Sequence, residues 1–198
     1  MHVTFILLHR STQKLQTKII VVRIVSALFI LLFPYFINAQ ISTKDSIPKK
    51  RILTAVRTKA KFVIDGNLNE TEWKKGALAT DFVEWRPTFG KVEDAATKTE
   101  VYILYDDDAI YVGGTCYEAS KDSISKELVG RDVVGVNDFI GIMFDTYDDK
   151  INGFGYYITA LGEQFDAKYS SNGEDGSWNS VYESNAKIID KGWTFEMK

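Results

Sequence analysis

Histidine is nearly missing from this chain. Its 198 residues hold only His2 and His9, so no imidazole follows residue 9. Beyond that point a Ser-His-Asp or Cys-His catalytic site is excluded, as is a His-ligated zinc or haem. Cysteine is scarcer still. Cys116 stands alone, which rules out an intrachain disulfide and any multi-cysteine metal site. Basic charge is also short, with 24 Lys and Arg against 27 Asp and Glu, and no stretch gathers it into a stripe. An acidic chain of this kind has no general electrostatic affinity for a phosphate backbone, so nucleic acid is not an expected partner. What remains for chemistry is carboxylates, amides, lysine and aromatic rings. Aromatics make up 13% and apolar residues 45%, enough for a substantial core.

Acid is missing from one region in particular. Residues 1–39 carry Arg10, Lys14, Lys18 and Arg23 and no Asp or Glu. From Ile24 to Ile37 the chain is almost wholly apolar, and Asn38-Ala39-Gln40 follows. A basic flank, a short apolar run and a small residue at the junction describe a secretory signal peptide, with cleavage expected after Ala39. The alternative is a membrane anchor, but the run is shorter than the ~20 residues a span needs, and Pro34 interrupts it. Without the leader's four basic residues, 20 positive charges face 27 negative ones, a balance of −7. The expected location is outside the cytoplasm: periplasm, outer membrane or cell surface. Residues 40–50, QISTKDSIPKK, are polar and read as a linker.

From Arg51 onward the pattern is that of strands. In TEVYILYDDDAIYVGGTCYE two runs rich in branched and aromatic residues flank Asp106-Asp107-Asp108, which predicts a hairpin. DFIGIMFDTYDDKINGFGYYITALGEQFDAKY repeats the scheme, with a run to Phe144, a loop, a run through Tyr157, a Leu-Gly turn and a run through Tyr169. A last hairpin is expected about Asp190-Lys191-Gly192. Strand signals every ten or so residues with turns between them predict an all-β fold, an antiparallel β-sandwich over residues 51–198. Tyr102, Leu104, Ile110, Val112, Ile140, Ile142 and Phe144 are the expected strand residues.

One short helix is expected near the start of the domain. In VIDGNLNETEW, Val63 and Ile64 read as the end of a strand and Asp65-Gly66 as a turn. Asn69 and Glu72 have the spacing of a capping box, and Trp73 and Ala77 lie four apart on one helix face. Trp73 is expected in the core. KDSISKELVG holds a second, shorter turn. In the final segment Trp193, Phe195 and Met197 alternate, so they share one strand face, expected to be core.

The pieces IDGNLNETEW, TKTEVYILYDDDAIYVGGTCYE, NDFIGIMFDTYDD, WNSVYES and KGWTFEMK, in this order, resemble the family 9 carbohydrate-binding module. They resemble most the version found at the N-terminus of outer-membrane-associated proteins with a C-terminal β-barrel-like region of unknown function. The resemblance covers roughly residues 50–198. It implies a β-sandwich that binds a polysaccharide or oligosaccharide between aromatic rings, often with a calcium ion. Relatives run on past GWTFEMK, so the resemblance also implies a sandwich truncated by a strand and a barrel region missing from this chain. By analogy Trp178 lies near the binding face and Trp85, in a variable loop, is the facing ring. Asp138 falls where the family has an acidic pair of structural role.

The residues themselves bear on each point. Sugar binding needs flat apolar faces and groups that satisfy hydroxyls. SSNGEDGSWNSVYES supplies Trp178 and Tyr182 with Asn172, Asn179 and Glu183, although a Trp there could equally plug the end of a sandwich. Calcium takes six to eight oxygens, and Asp145, Asp148, Asp149 and Asn152 offer several within one loop; a solvated acidic turn is the competing reading. A glycosidase would need two facing carboxylates, and no pairing is visible in the sequence. No catalytic residue is therefore assigned. The expected function is carbohydrate binding in polysaccharide breakdown, tied to glycoside hydrolases by association. The alternatives are a structural or interaction domain without a sugar site and a hydrolase built on a carboxylate pair.

Overall fold

The computed structural model describes residues 51–198, so the expected leader 1–39 and linker 40–50 lie outside the described residues. Ten strands follow one another: β1 (Val56–Arg57), β2 (Ala77–Ala79), β3 (Thr99–Tyr105), β4 (Ile110–Tyr117), β5 (Phe139–Phe144), β6 (Gly153–Thr159), β7 (Gln164–Ser170), β8 (Gly173–Asp175), β9 (Ser184–Ile189) and β10 (Gly192–Met197). They form two sheets. A six-stranded sheet runs β1-β3-β4-β10-β9, with β2 also on β3, and a four-stranded sheet runs β5-β6-β7-β8. All pairings are antiparallel except the short β1–β3 contact. The fold is an all-β sandwich, as expected.

The expected hairpins form where turn chemistry marks them. Asp106 Oδ1 accepts from the N–H groups of Asp108 and Ala109, both at 2.8 Å, and closes the β3–β4 turn with its own side chain. Between the sheets Val101, Val112, Trp193, Phe195 and Met197 meet Ile158 and Ala160, with Ile140 and Ile142 packed against them. Register explains the set. Val112 stands opposite Met197, and Ile140 opposite Ile158, so each face is continuous across its strands. Burying each large apolar side chain contributes about 1.5–3 kcal/mol before the entropy of ordering is counted.

β10 departs from the simple alternation. All six of its residues are buried, not only Trp193, Phe195 and Met197. The reason is a third layer. The chain from Phe62 to Trp73 lies over the outward face of the six-stranded sheet, where Trp73, Leu104 and Tyr111 form a second cluster with Phe62, Leu68 and Tyr102. Tyr102 and Leu104 are strand residues as expected, but they face this layer. Gly113 and Gly114 make room on both sides. A Cβ on Gly113 would stand 2.8 Å from the Trp73 ring, and one on Gly114 2.9 Å from the Phe195 ring. Two large rings thus reach the same strand from opposite faces.

Three local expectations are corrected. Val63 and Ile64 are not in a strand, and Val63 is exposed. The helix is a 3-10 turn, Thr71–Lys75, with Glu70 at its N-cap and no side-chain cap, so the Asn69–Glu72 capping box does not form. The Glu72 carboxylate is taken instead by Thr71 and Lys75. Ala77 has already entered β2. The segment is shaped by the sheet beneath it. Glu196 Oε2 accepts from the N–H groups of Asp65 and Gly66, both at 2.8 Å, and its Oε1 accepts from Trp73 Nε1 at 3.0 Å. Gly66, at φ +82° and close against the Ala186 backbone, gives the chain the turn that brings those amides down. Trp73 is core as expected, 1% exposed. The second short turn is a 3-10 helix at Lys121–Ser123.

Candidate functional site

The segment that carries Trp178 and Tyr182 is pinned by a polar cluster on the inner side of β7. Asp166 is 0% exposed. Its carboxylate pairs with Arg131 Nη2 at 2.5 Å and accepts from the Ser180 N–H, while Arg131 also donates to the Ser180 carbonyl at 3.0 Å. Gln164 Nε2 donates to Tyr182 O at 3.0 Å and to Ser184 Oγ at 2.8 Å, and its Oε1 takes a further bond from Arg131. A buried carboxylate needs such partners, since an isolated buried charge is strongly unfavourable. Their effect is to fix the backbone from Ser180 to Ser184 against β7.

The side chains of that segment then stack. Trp178 lies 4.8 Å from Phe154 and 6.1 Å from Tyr156, ring centre to ring centre, and Tyr156 lies 5.2 Å from Tyr182. Trp178 is half-buried. Tyr182 donates its hydroxyl to Tyr157 O at 2.7 Å and Phe165 O at 3.2 Å. Burial, with Asp166 nearby, holds its phenol well above the ordinary pKa. Its hydroxyl hydrogen is therefore committed to the sheet, and its ring is what it has to offer.

Beside this stack the two sheets part to leave a cleft of about 500 Å³. Phe154, Tyr156 and Tyr182 border it with Ile142, Phe144 and Met197. Its rim carries Asp108, Thr146, Glu183 and Lys198. Glu183 and Lys198 are tied together by an ion pair at 2.9 Å and by reciprocal backbone hydrogen bonds. The arrangement offers apolar faces within and carboxylate, ammonium and hydroxyl groups at the edge.

The other candidates lie apart from this stack. Asn172 is exposed at the tip of the β7–β8 turn, and Asn179 is exposed with its amide on Ser177 O. Trp85 is 71% exposed and meets Phe89 edge-on at 5.1 Å. Among the described residues no aromatic pair joins Trp85 to Trp178. In the β5–β6 loop Asp145 accepts from the N–H groups of Asp149 and Lys150, and Asp149 from those of Ile151 and Asn152. Hydrogen bonds from these backbone amides and from the Asn152 side chain hold the Asp149 carboxyl below its usual pKa. Asp148 turns the loop at φ +51°. Among the described residues no group of three or more His, Cys, Asp or Glu side chains is gathered as for a metal ion. Asp138 Oδ2 accepts from the Ser125 N–H at 3.0 Å.

Sequence reasoning passed over Phe154, Tyr156, Arg131 and Asp166. The two rings were legible as strand residues, but which side of β6 faces the cleft depends on register. Arg131 and Asp166 are 35 positions apart, and no spacing rule connects them. Compared with protein families, curated proteins and solved structures, the chain matches none of them.

Proposed function

We propose that residues 51–198 form a carbohydrate-binding module similar to family 9 modules, with a glycan end held against Trp178 at the mouth of the inter-sheet cleft. The observation that carries this reading is the aromatic stack: the half-buried Trp178 ring packs on Phe154 and Tyr156, and those two rings line the cleft together with Glu183, Lys198, Asp108 and Thr146. A sugar has apolar C–H faces for rings and hydroxyls for charged and polar groups, and the site has both. In this reading the module is not itself the catalyst. It would hold polysaccharide for a glycoside hydrolase, outside the cytoplasm, after removal of residues 1–39.

The test is a glycan array probed with the full chain, followed by titration of any binding glycan into Trp178→Ala. Loss of the stacking surface should weaken binding about ten-fold, equivalent to ~1.4 kcal/mol, with the fold intact. Unchanged binding in a folded variant removes Trp178 from the site, and silence across the array removes the reading.

A second reading has its own support. Ile142, Phe144 and Met197 make much of the cleft apolar, which suits an interaction domain that seats an apolar protein segment. Silence on the array is the outcome this reading expects.

A further inference from the structure

We propose that the outward face of the four-stranded sheet is a second carbohydrate surface, an aromatic platform centred on Tyr157 for a neutral polysaccharide. It rests on the carbohydrate-binding reading but uses none of the cleft residues. Strand alternation places Phe139 and Met143 of β5, Tyr157 of β6, and Phe165 and Tyr169 of β7 on this side, opposite the side of Ile140, Tyr156 and Ile158. Phe139 is 50% exposed and Met143 57%. Large apolar groups left at a surface in one contiguous group mark a binding face.

The way the rings lie gives the face its character. Tyr157 is laid across Gly141 and Gly155. A Cβ on Gly155 would stand 2.7 Å from Tyr157 Cε2 and 2.9 Å from Tyr169 Cε2, and a Cβ on Gly141 would overlap the Tyr157 ring outright. Glycine at both positions lets the ring settle onto the sheet and turn a π face outward. Phe165 continues it at 5.2 Å with the planes 38° apart, and Phe139 meets Tyr157 edge-on at 6.0 Å. The Tyr157 and Tyr169 hydroxyls are bonded to each other at 2.7 Å. That bond uses one of their two hydrogens, the Glu174 carboxylate beside Tyr169 is placed to take the other, and acceptor capacity remains on both oxygens.

Charge selects the ligand. The outward positions of β5, β6 and β7 carry no Lys, Arg, Asp or Glu. The first charge is Glu174, opposite Tyr169 in β8. With no cation the face does not match a phosphate or acidic polymer, and with no anion across three strands it does not match a basic peptide. A neutral pyranose polymer complements it, having C–H faces to stack on rings and hydroxyls to meet the tyrosine pair.

The experiment uses the full chain and two probes. Retention on microcrystalline cellulose or insoluble xylan reads the platform, and titration with soluble oligosaccharides of the same sugars reads the cleft. The Phe139→Ser/Phe165→Ser variant should lose about ten-fold in retention on the polymer while keeping its circular dichroism and its soluble-sugar titration. Trp178→Ala should show the converse. Tyr169→Phe, which removes only a hydroxyl, should weaken retention by a smaller factor and guards against a double variant that fails to fold. Unchanged retention in the folded double variant overturns the platform and leaves the cleft standing. Retention lost only in the double variant, with no soluble-sugar binding in any protein, supports the platform and removes the cleft. No wild-type retention on either polymer overturns the platform, and a wild-type dimer that the double variant dissolves would assign the face to self-association.

Discussion

Trp73 and Tyr157 both lie over glycine on the outward face of a sheet, but one is sealed and the other is not. Trp73 sits on Gly113 beneath the chain from Phe62 onward, with its indole N–H on Glu196. Tyr157 sits on Gly141 and Gly155 with Phe139 and Phe165 beside it, at the surface. The same device, a ring settled onto a glycine, therefore serves two ends. Where a third layer covers it, it is core and carries stability. Where it stays open, it is a surface able to meet a ligand. The six-stranded sheet is buried on both faces through its central strands, and the four-stranded sheet on one.

The comparison can be broken most forcefully at Trp73. Trp73→Ala should cost about 3–5 kcal/mol, the range for emptying a buried aromatic site, and it strips Glu196 of a donor as well. Denaturant unfolding followed by tryptophan fluorescence and circular dichroism measures it. A variant that loses under 1 kcal/mol would mean that the outer layer is an attachment rather than part of the core.

Arg131→Ala tests the other sheet's inner side. The fully buried Asp166 would lose its counter-charge, which costs about 3–5 kcal/mol in a wholly buried pair. Arg131 is itself 39% exposed, so solvent screens part of the interaction and about 2–3 kcal/mol is expected here. Ser180 and with it Trp178 would also be freed. A loss of glycan binding larger than the loss of stability would show that the cluster positions the stack.

Glu196→Gln separates charge from hydrogen bonding in the sealed layer. The carboxylate takes three donors, and an amide would turn its NH2 group toward at least one of them, for a cost of about 1–3 kcal/mol. Burial raises the Glu196 pKa, outweighing the three donors that pull it down. The native state then holds this proton more tightly than the unfolded chain. Its contribution is complete below the ordinary carboxylate pKa and is lost as pH rises through the folded value. The stability difference between wild type and Glu196→Gln should accordingly shrink from pH 4 to pH 8. A difference that grows with pH would mean the ion, not the acid, is what the outer layer needs.

How far the sequence discloses all this depends on distance along the chain. The β3–β4 hairpin is legible because Asp106 closes it within three residues. Trp73 is legible as core because a lone Trp among polar neighbours has few other places to go. Its partner is not, since Glu196 lies 123 residues away in a strand whose alternation suggests a solvent-facing acid. The layer over it, from Phe62 to Trp73, is held by the bonds of the Asp65 and Gly66 amides to the Glu196 side chain below and by turns within the segment, which leave no strand or helix period to read. The platform is hidden for a related reason. Tyr156 and Tyr157 are adjacent and chemically alike, and only the register with Ile142 and Gly141 decides which enters the cleft and which lies on the surface.

The smallest expected effect lies in the β5–β6 loop, at the end of the strands that carry the platform. Asp149 accepts from the N–H groups of Ile151 and Asn152 and from the Asn152 side chain, all within three residues. Asp149→Ala removes those bonds from an exposed turn, where water can replace them, so the melting temperature should fall only slightly. In EDTA that small fall should persist, because the lost bonds are internal to the loop. The calcium expectation for Asp145, Asp148, Asp149 and Asn152 adds a second component, present only when calcium is. Wild type would then melt lower in EDTA, recover with calcium, and stand further above Asp149→Ala in calcium than in EDTA. Equal differences in the two buffers would leave these carboxylates as caps for their own turn. The loop's contribution to the open sheet would then be geometric, setting where β5 ends and β6 begins.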